Sequence, residues 1–206
     1  MSGYVYFFLA IVPSIVLHEV SHGYVAYYFG DPTAKENHRL TLNPLRHIDP
    51  FGTIILPALL IFSGLPAFGY AKPVPVNFSR LRNPRTQSLY VSLAGPFVNI
   101  ALAALAFVIC KLAIHVTQSV VMLNIGVYLG IVNLILAAFN LLPIPPLDGS
   151  AIIERFIPSH KLPSYYRFRA TALPLVMALV ILDSVFFHVG TNALSGLQNW
   201  WLSRVF

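Results

Sequence analysis

Charge is what this 206-residue chain has least of: Asp, Glu, Lys and Arg make up 10% of it, against roughly 25% in soluble globular domains. A water-soluble protein is excluded by that shortage, and so is a disordered chain, because 57% of the residues are apolar and the mean hydropathy is +0.72. Cysteine is nearly absent. The single Cys110 cannot close an internal disulfide, which rules out a disulfide scaffold, and its apolar surroundings suit a small buried hydrophobe. Repeats, low-complexity tracts and linkers are also missing, so residues 1–206 read as a single domain. The first thirty residues lack a basic leading segment and a small-residue cleavage site, and they are expected to stay in the mature protein.

What is present is long apolar runs. Tyr4 to Phe29, Leu89 to Val116, Val120 to Leu142 and Thr171 to Val189 are each long enough for a hydrocarbon layer of roughly 30 Å, which predicts an all-α polytopic membrane protein with about four transmembrane helices. A fifth run, Phe51 to Phe68, is broken by Gly52, Pro57, Gly64 and Pro66 and is expected to be a re-entrant segment. The net charge of +6 is a topology signal rather than a sign of nucleic-acid binding. With a re-entrant fifth run, eleven of the thirteen basic residues fall on one side and only Lys111 and Arg204 on the other. That bias predicts a multi-pass protein of the cell membrane with both termini outside. Asn192 to Phe206, with Trp200 and Trp201, should form an interfacial helix or tail. The stretches Arg39–Asn43 and Tyr70–Phe78 have extended character and predict a small β-hairpin-like region, with Pro73 and Pro75 limiting the second strand to an edge.

Chemistry concentrates in the first span, at His18-Glu19-Val20-Ser21-His22. Residues four apart on a helix lie about 40° apart around its axis, so both imidazoles share a face and can bind one zinc ion, with Glu19 placed to act on its water. Coincidence, or histidines that merely hydrogen-bond between helices, is the bland alternative. Against it, each ionisable residue deep in a membrane helix costs on the order of 3 kcal/mol on insertion scales, and three within five positions call for a compensating cation.

A catalytic zinc usually takes a third protein ligand and leaves one position open. The candidates are Asp31, Glu36, Asp49, Asp148, Glu154 and Asp183, with His38, His47, His115, His160 and His188. The two histidines lie in the cytoplasmic half of an outside-to-inside helix, and Asp148 follows the cytoplasmic end of the third full span. It sits in Asn140-Leu141-Leu142-Pro143-Ile144-Pro145-Pro146-Leu147-Asp148-Gly149, whose prolines must break the helix just before it. Taken alone, this stretch also reads as a plain cytoplasmic turn. Asp183 has no evident partner and is best read as an interhelix hydrogen bond.

HEVSH at 18–22, NLLPIPPLDG at 140–149 and AGPFVN at 94–99 together resemble the site-2 protease family of intramembrane zinc metalloproteases, and Gly30–Thr53 is similar to its short bacterial branch without PDZ or CBS domains. The resemblance covers roughly residues 10–155; Ser150 stands where many relatives have a second glycine. It implies one zinc per chain held by His18, His22 and Asp148, Glu19 as general base, and Asn140 contacting the substrate or the developing oxyanion. The expected activity is hydrolysis of peptide bonds in or near transmembrane segments of membrane proteins, at a site within the bilayer opening toward the cytoplasm. A membrane zinc transporter or sensor, and a catalytically silent scaffold of the same fold, are the rival readings. The sequence sets neither the substrate's identity nor the oligomeric state.

Overall fold

A computed structural model describes residues 2–65 and 69–206, and among these it is built of helices and loops. The helices are α1 (Gly3–Tyr28), α2 (Thr33–Glu36), α3 (Leu56–Phe62), α4 (Pro84–Leu112), α5 (Val120–Asn140), α6 (Ser150–Glu154), α7 (Leu162–Thr171), α8 (Leu173–Leu182) and α9 (Val189–Val205). Three are long and apolar enough to cross a membrane: α1, α4 with its continuation to Thr117, and α5. The 26 residues of α1 span about 39 Å, and aromatic side chains stand exposed toward both ends, Tyr4, Phe7 and Phe8 at one and Tyr24, Tyr27 and Tyr28 at the other.

α1, α4 and α5 pack against one another through small residues. The buried positions step at helical spacing along Ala10, Ser14, His18, His22 and Ala26 of α1, along Ser88, Ser92, Gly95, Asn99, Ala103, Ala106 and Cys110 of α4, and along Gly126, Gly130, Asn133 and Ala137 of α5. Lipid tails are as apolar as leucine, so nothing is gained by hiding leucines between helices; close backbone approach and interhelical hydrogen bonds hold them together instead. The large side chains, such as Phe8, Leu9, Phe97, Ile100, Leu105 and Val121, face outward.

The fourth expected span, Thr171–Val189, coincides with Leu173–Phe187, which forms α8 and a wide turn and makes a fourth candidate crossing only together with the helix before it, from which it is bent by 55°. The break falls where Pro174, the second residue of α8, has no N–H to continue α7. The expected β-hairpin-like region is corrected: no strand occurs among the described residues, and Arg39–Asn43 is irregular. Pro73 and Pro75 offer no ladder donors, and the N–H groups that remain go to loops and side chains, Lys72 N–H to the His47 carbonyl (2.9 Å) and Asn77 N–H to Asp31 Oδ2 (2.6 Å).

The fifth run forms a helix over Pro50–Phe62, about 20 Å long, and its last residues, 66–68, lie outside the described ones. Its two flanks meet. Tyr70 N–H donates to the Gly52 carbonyl (3.1 Å) and the Thr53 hydroxyl to the Tyr70 carbonyl (2.9 Å). Further out, Arg80 pairs with Glu36 at 2.7 Å, an ion pair that pushes the exposed guanidinium further up from its usual range.

Asp183 has a structural use that periodicity does not reveal. Its carboxylate accepts the backbone N–H groups of Val189, Gly190 and Thr191 at 2.9 to 3.2 Å, capping α9 across the intervening turn. α9 then docks rather than lying free: Trp201 is buried over Gly130 and beside Phe107, and Lys111 Nζ donates to the Val205 carbonyl at 3.0 Å. Asp183→Ala should speed hydrogen exchange of the amides at 189–191 about tenfold while those of α5 stay protected, and Asp183→Asn should recover only part of that protection, because both carboxylate oxygens accept N–H groups and an amide keeps one acceptor.

Candidate metal centre

His18 and His22 occupy successive turns of the buried stripe of α1, with ring centroids 4.8 Å apart at 82°. Each ring is aimed by a bond to its other nitrogen. Nδ1 of His22 faces the Val91 carbonyl at 2.7 Å, and Nδ1 of His18 faces Asn99 Oδ1 at 2.5 Å, both on α4. A carbonyl oxygen can only accept, so the Nδ1 positions carry the protons and the Nε2 lone pairs are left for a cation.

The third candidate ligand, Asp148, comes from beyond the end of α5. Beyond Asn140 the proline-rich turn folds back on itself, Gly149 N–H returning to the Asn140 carbonyl at 2.7 Å. At Gly149 a Cβ would collide with the Leu141 carbonyl oxygen, so the turn closes only around glycine. Asp148 Oδ2 is thereby brought to 3.1 Å from His18 Nε2 and 3.4 Å from His22 Nε2. That oxygen is buried and makes no hydrogen bond. Ligand atoms about 2.0–2.1 Å from a tetrahedral zinc lie about 3.3–3.4 Å from one another. The observed separations match that edge, and two imidazoles with a carboxylate are a zinc donor set; the three residues therefore fit the ion.

Among the described residues no other group of three or more ligand side chains converges in this way. The remaining carboxylates are committed elsewhere: Asp31 to Thr33 and Asn77, Glu36 to Arg80, Asp49 to Gly52 N–H, Glu154 to Tyr166 and Arg169, Asp183 to α9. Gly95 lets α4 approach: a Cβ there would stand 2.5 Å from His18 Nε2 and 2.6 Å from His22 Nε2.

Glu19 lies beside this cluster. Its Oε2 accepts the N–H of Val74 at 2.9 Å, the one donor between Pro73 and Pro75. The extended segment is thus a brace for the glutamate, and the one amide between its two prolines is already engaged. Asn140 is placed at the last turn of α5, where its Nδ2 donates to the Leu136 carbonyl at 3.0 Å and its own carbonyl anchors Gly149. Its side-chain hydrogen bond is therefore to its own helix, and what ties Asn140 to the centre is the main chain.

Motif reading took in Asn99, fully buried, as the end of AGPFVN without giving it a role, and missed Asn133 and Ser14 behind it, also fully buried. Their signal was present as polar residues within runs otherwise apolar.

The sequence compares with known proteins in the same region. The model of peptidase family M50 matches residues 6–122 and 111–182. YwhC of Bacillus subtilis (strain 168), named as a candidate zinc metalloprotease, is 43% identical over 162 residues, covering 74% of this chain and 69% of its own. Rip2 of Mycobacterium tuberculosis (strain H37Rv), named likewise, is 36% identical over 142 residues, 68% of this chain and 53% of its own, so the chain spans about half the length of that relative. MJ0611 of Methanocaldococcus jannaschii, with the same kind of name, is 39% identical over 64 residues, covering 31% of this chain and 32% of its own. No solved structure matches. Both matched segments of the family model run through the helices that carry and hold the three ligands, and by that match the chain belongs to peptidase family M50, as a membrane protein with a zinc metalloprotease's donor set.

Proposed function

We propose that this protein is an intramembrane zinc metalloprotease, a single domain over residues 1–206, that cleaves peptide bonds in or near the transmembrane segments of membrane proteins. The observation that carries this reading is the convergence of His18, His22 and Asp148 beside Glu19 inside a bundle of apolar helices. One zinc per chain, held by the three ligands, would supply Lewis acidity, lowering the pKa of a coordinated water to about 7 and polarising the scissile carbonyl. Glu19, aimed by Val74 N–H, takes the proton from the attacking water and passes it to the leaving amine. Asn140, at the mouth of the proline-rich turn, orients the substrate backbone.

At 1.5 Å per residue, His18 and His22 stand about 15 Å and about 9 Å along α1 from its Tyr28 end, a depth that suits a site within the membrane near one face. An outside amino terminus makes that face cytoplasmic. The Glu36–Arg80 ion pair and the Gly52–Tyr70 bond support a re-entrant Pro50–Phe62 helix, because flanks in contact belong to one side of a bilayer. The Lys111–Val205 contact likewise joins the two ends assigned to the outer side. The bilayer and a membrane-spanning protein substrate are the partners of this reading; nucleic acid is not. A zinc carrier would need a second cluster along a path, which the described residues do not supply.

The test is cleavage of a single-span membrane substrate by purified protein in liposomes. Cleavage should stop on chelation and return with zinc; cleavage indifferent to a chelator that removes the metal would overturn the reading. For topology, cysteines placed at Glu36 and at Arg82 in a Cys110→Ser background should both resist an impermeant thiol reagent applied outside intact cells. Labelling of Arg82→Cys alone would show that the fifth run crosses.

A further inference from the structure

His22 has its tautomer set directly by a main-chain carbonyl, but His18 faces a side-chain amide, which could in principle present either end. What decides the orientation of Asn99 lies two helices away. Asn99 Nδ2 donates to Asn133 Oδ1 at 2.7 Å, and Asn133 Nδ2 donates both to Ser14 Oγ and to the Leu129 carbonyl, each at 2.8 Å. Ser14 spends its only hydrogen on the Ala10 carbonyl at 2.7 Å, so toward Asn133 it can only accept. Asn99, Asn133 and Ser14 are all fully buried, out of reach of bulk solvent.

The polarity of the chain is therefore fixed at its far end by two main-chain carbonyls, Ala10 O in α1 and Leu129 O in α5, which can only accept. A flipped Asn133 would set its Oδ1 against the Leu129 carbonyl and its Nδ2 against the Nδ2 of Asn99. A flipped Asn99 would press its Oδ1 against that of Asn133. Each reversal buries like against like, at the cost of unsatisfied groups in the bundle interior.

We infer that Asn133 and Ser14 are positioning residues for the metal centre: anchored on main-chain carbonyls, they impose through Asn99 the Nδ1–H tautomer on His18 and so keep its Nε2 lone pair turned toward the ion. The inference rests on the reading of His18 as a metal ligand. It gives α5 two roles, since the helix that delivers Asp148 from its end also orients His18 from its middle.

Zinc affinity of the detergent-purified protein, read by competition with a chromophoric chelator, tests it without reference to activity. Asn133→Leu leaves Asn99 free to reverse and should weaken zinc binding about 10- to 100-fold, the range for lost outer-shell partners. Asn99→Asp added to Asn133→Leu should restore affinity to within about threefold of wild type, because both carboxylate oxygens accept and no orientation can be wrong. A purely structural role predicts the opposite, since the second change puts a carboxylate into an apolar pocket. Ser14→Ala, a small truncation that leaves the Leu129 carbonyl as sole anchor, should lose about threefold and carries the test should Asn133→Leu fail to fold. If wild type holds no zinc, or His18→Ala/His22→Ala holds as much, the metal-centre reading and this inference fall together. If zinc is lost in His22→Ala yet folded Asn133→Leu and Ser14→Ala bind it as wild type does, or if Asn99→Asp restores nothing, the relay alone is overturned.

Discussion

Glu19→Gln should retain zinc at the wild-type level while cleavage of a single-span substrate falls by about 10²- to 10⁴-fold, the range that general acid–base catalysis supplies. The substitution is close to isosteric, and its amide oxygen can still accept from Val74 N–H, which leaves the brace intact. Lost is the carboxylate that takes and returns a proton. The three ligands are other residues, so elemental analysis and the chelator-competition affinity should be unaffected. Asn140→Ala should also keep its zinc and lose less activity, because its side-chain bond is to its own helix and no metal-ligand atom depends on it. A Glu19→Gln protein that cleaves at the wild-type rate with equal zinc would remove the glutamate from the mechanism.

Metal content should fall further in two other variants than in any outer position. His22→Ala deletes one of three ligands and leaves Asp148 Oδ2, already without a hydrogen bond, facing a single imidazole; near-complete loss of zinc is expected. Gly95→Ala reaches the same end by a different route. Its added methyl would lie 2.5 Å from His18 Nε2 and 2.6 Å from His22 Nε2, so either the rings or α4 must move. Sites misplaced by about 1 Å lose affinity and activity together. Gly95→Ala should therefore purify as a folded helical protein with less than about a tenth of the wild-type zinc, by elemental analysis. Stoichiometric zinc in a folded Gly95→Ala protein would mean that α4 does not crowd the centre as described.

Much of this was legible before any fold was known, for reasons that differ residue by residue. His18 and His22 share a face because the helix repeat puts residues four apart together, whatever surrounds them. Asp148 was legible because few acids exist in the chain and its depth matches that of the histidines. Two strands were read where there are none, since alternation in Arg39–Asn43 and the proline-punctuated run Tyr70–Phe78 signal extended backbone but not a partner, and the prolines removed the donors a ladder needs. The fourth span was read across Thr171–Val189 from hydropathy alone, which sums over a window and does not register the 55° bend where that run joins the helix before it.

Local rules and solvent preference sufficed for the apolar helices, their basic-rich loops and the two-histidine face, because each depends on spacing along one helix or on transfer from water to lipid. The polarity of the chain Ser14–Asn133–Asn99–His18, the Val74 brace on Glu19, the space left by Gly95 and the capping of α9 by Asp183 join residues up to 119 positions apart. No periodicity encodes which polar side chain of one helix will meet which of another. In a medium with no water to satisfy a stray donor, only the packed bundle decides that pairing.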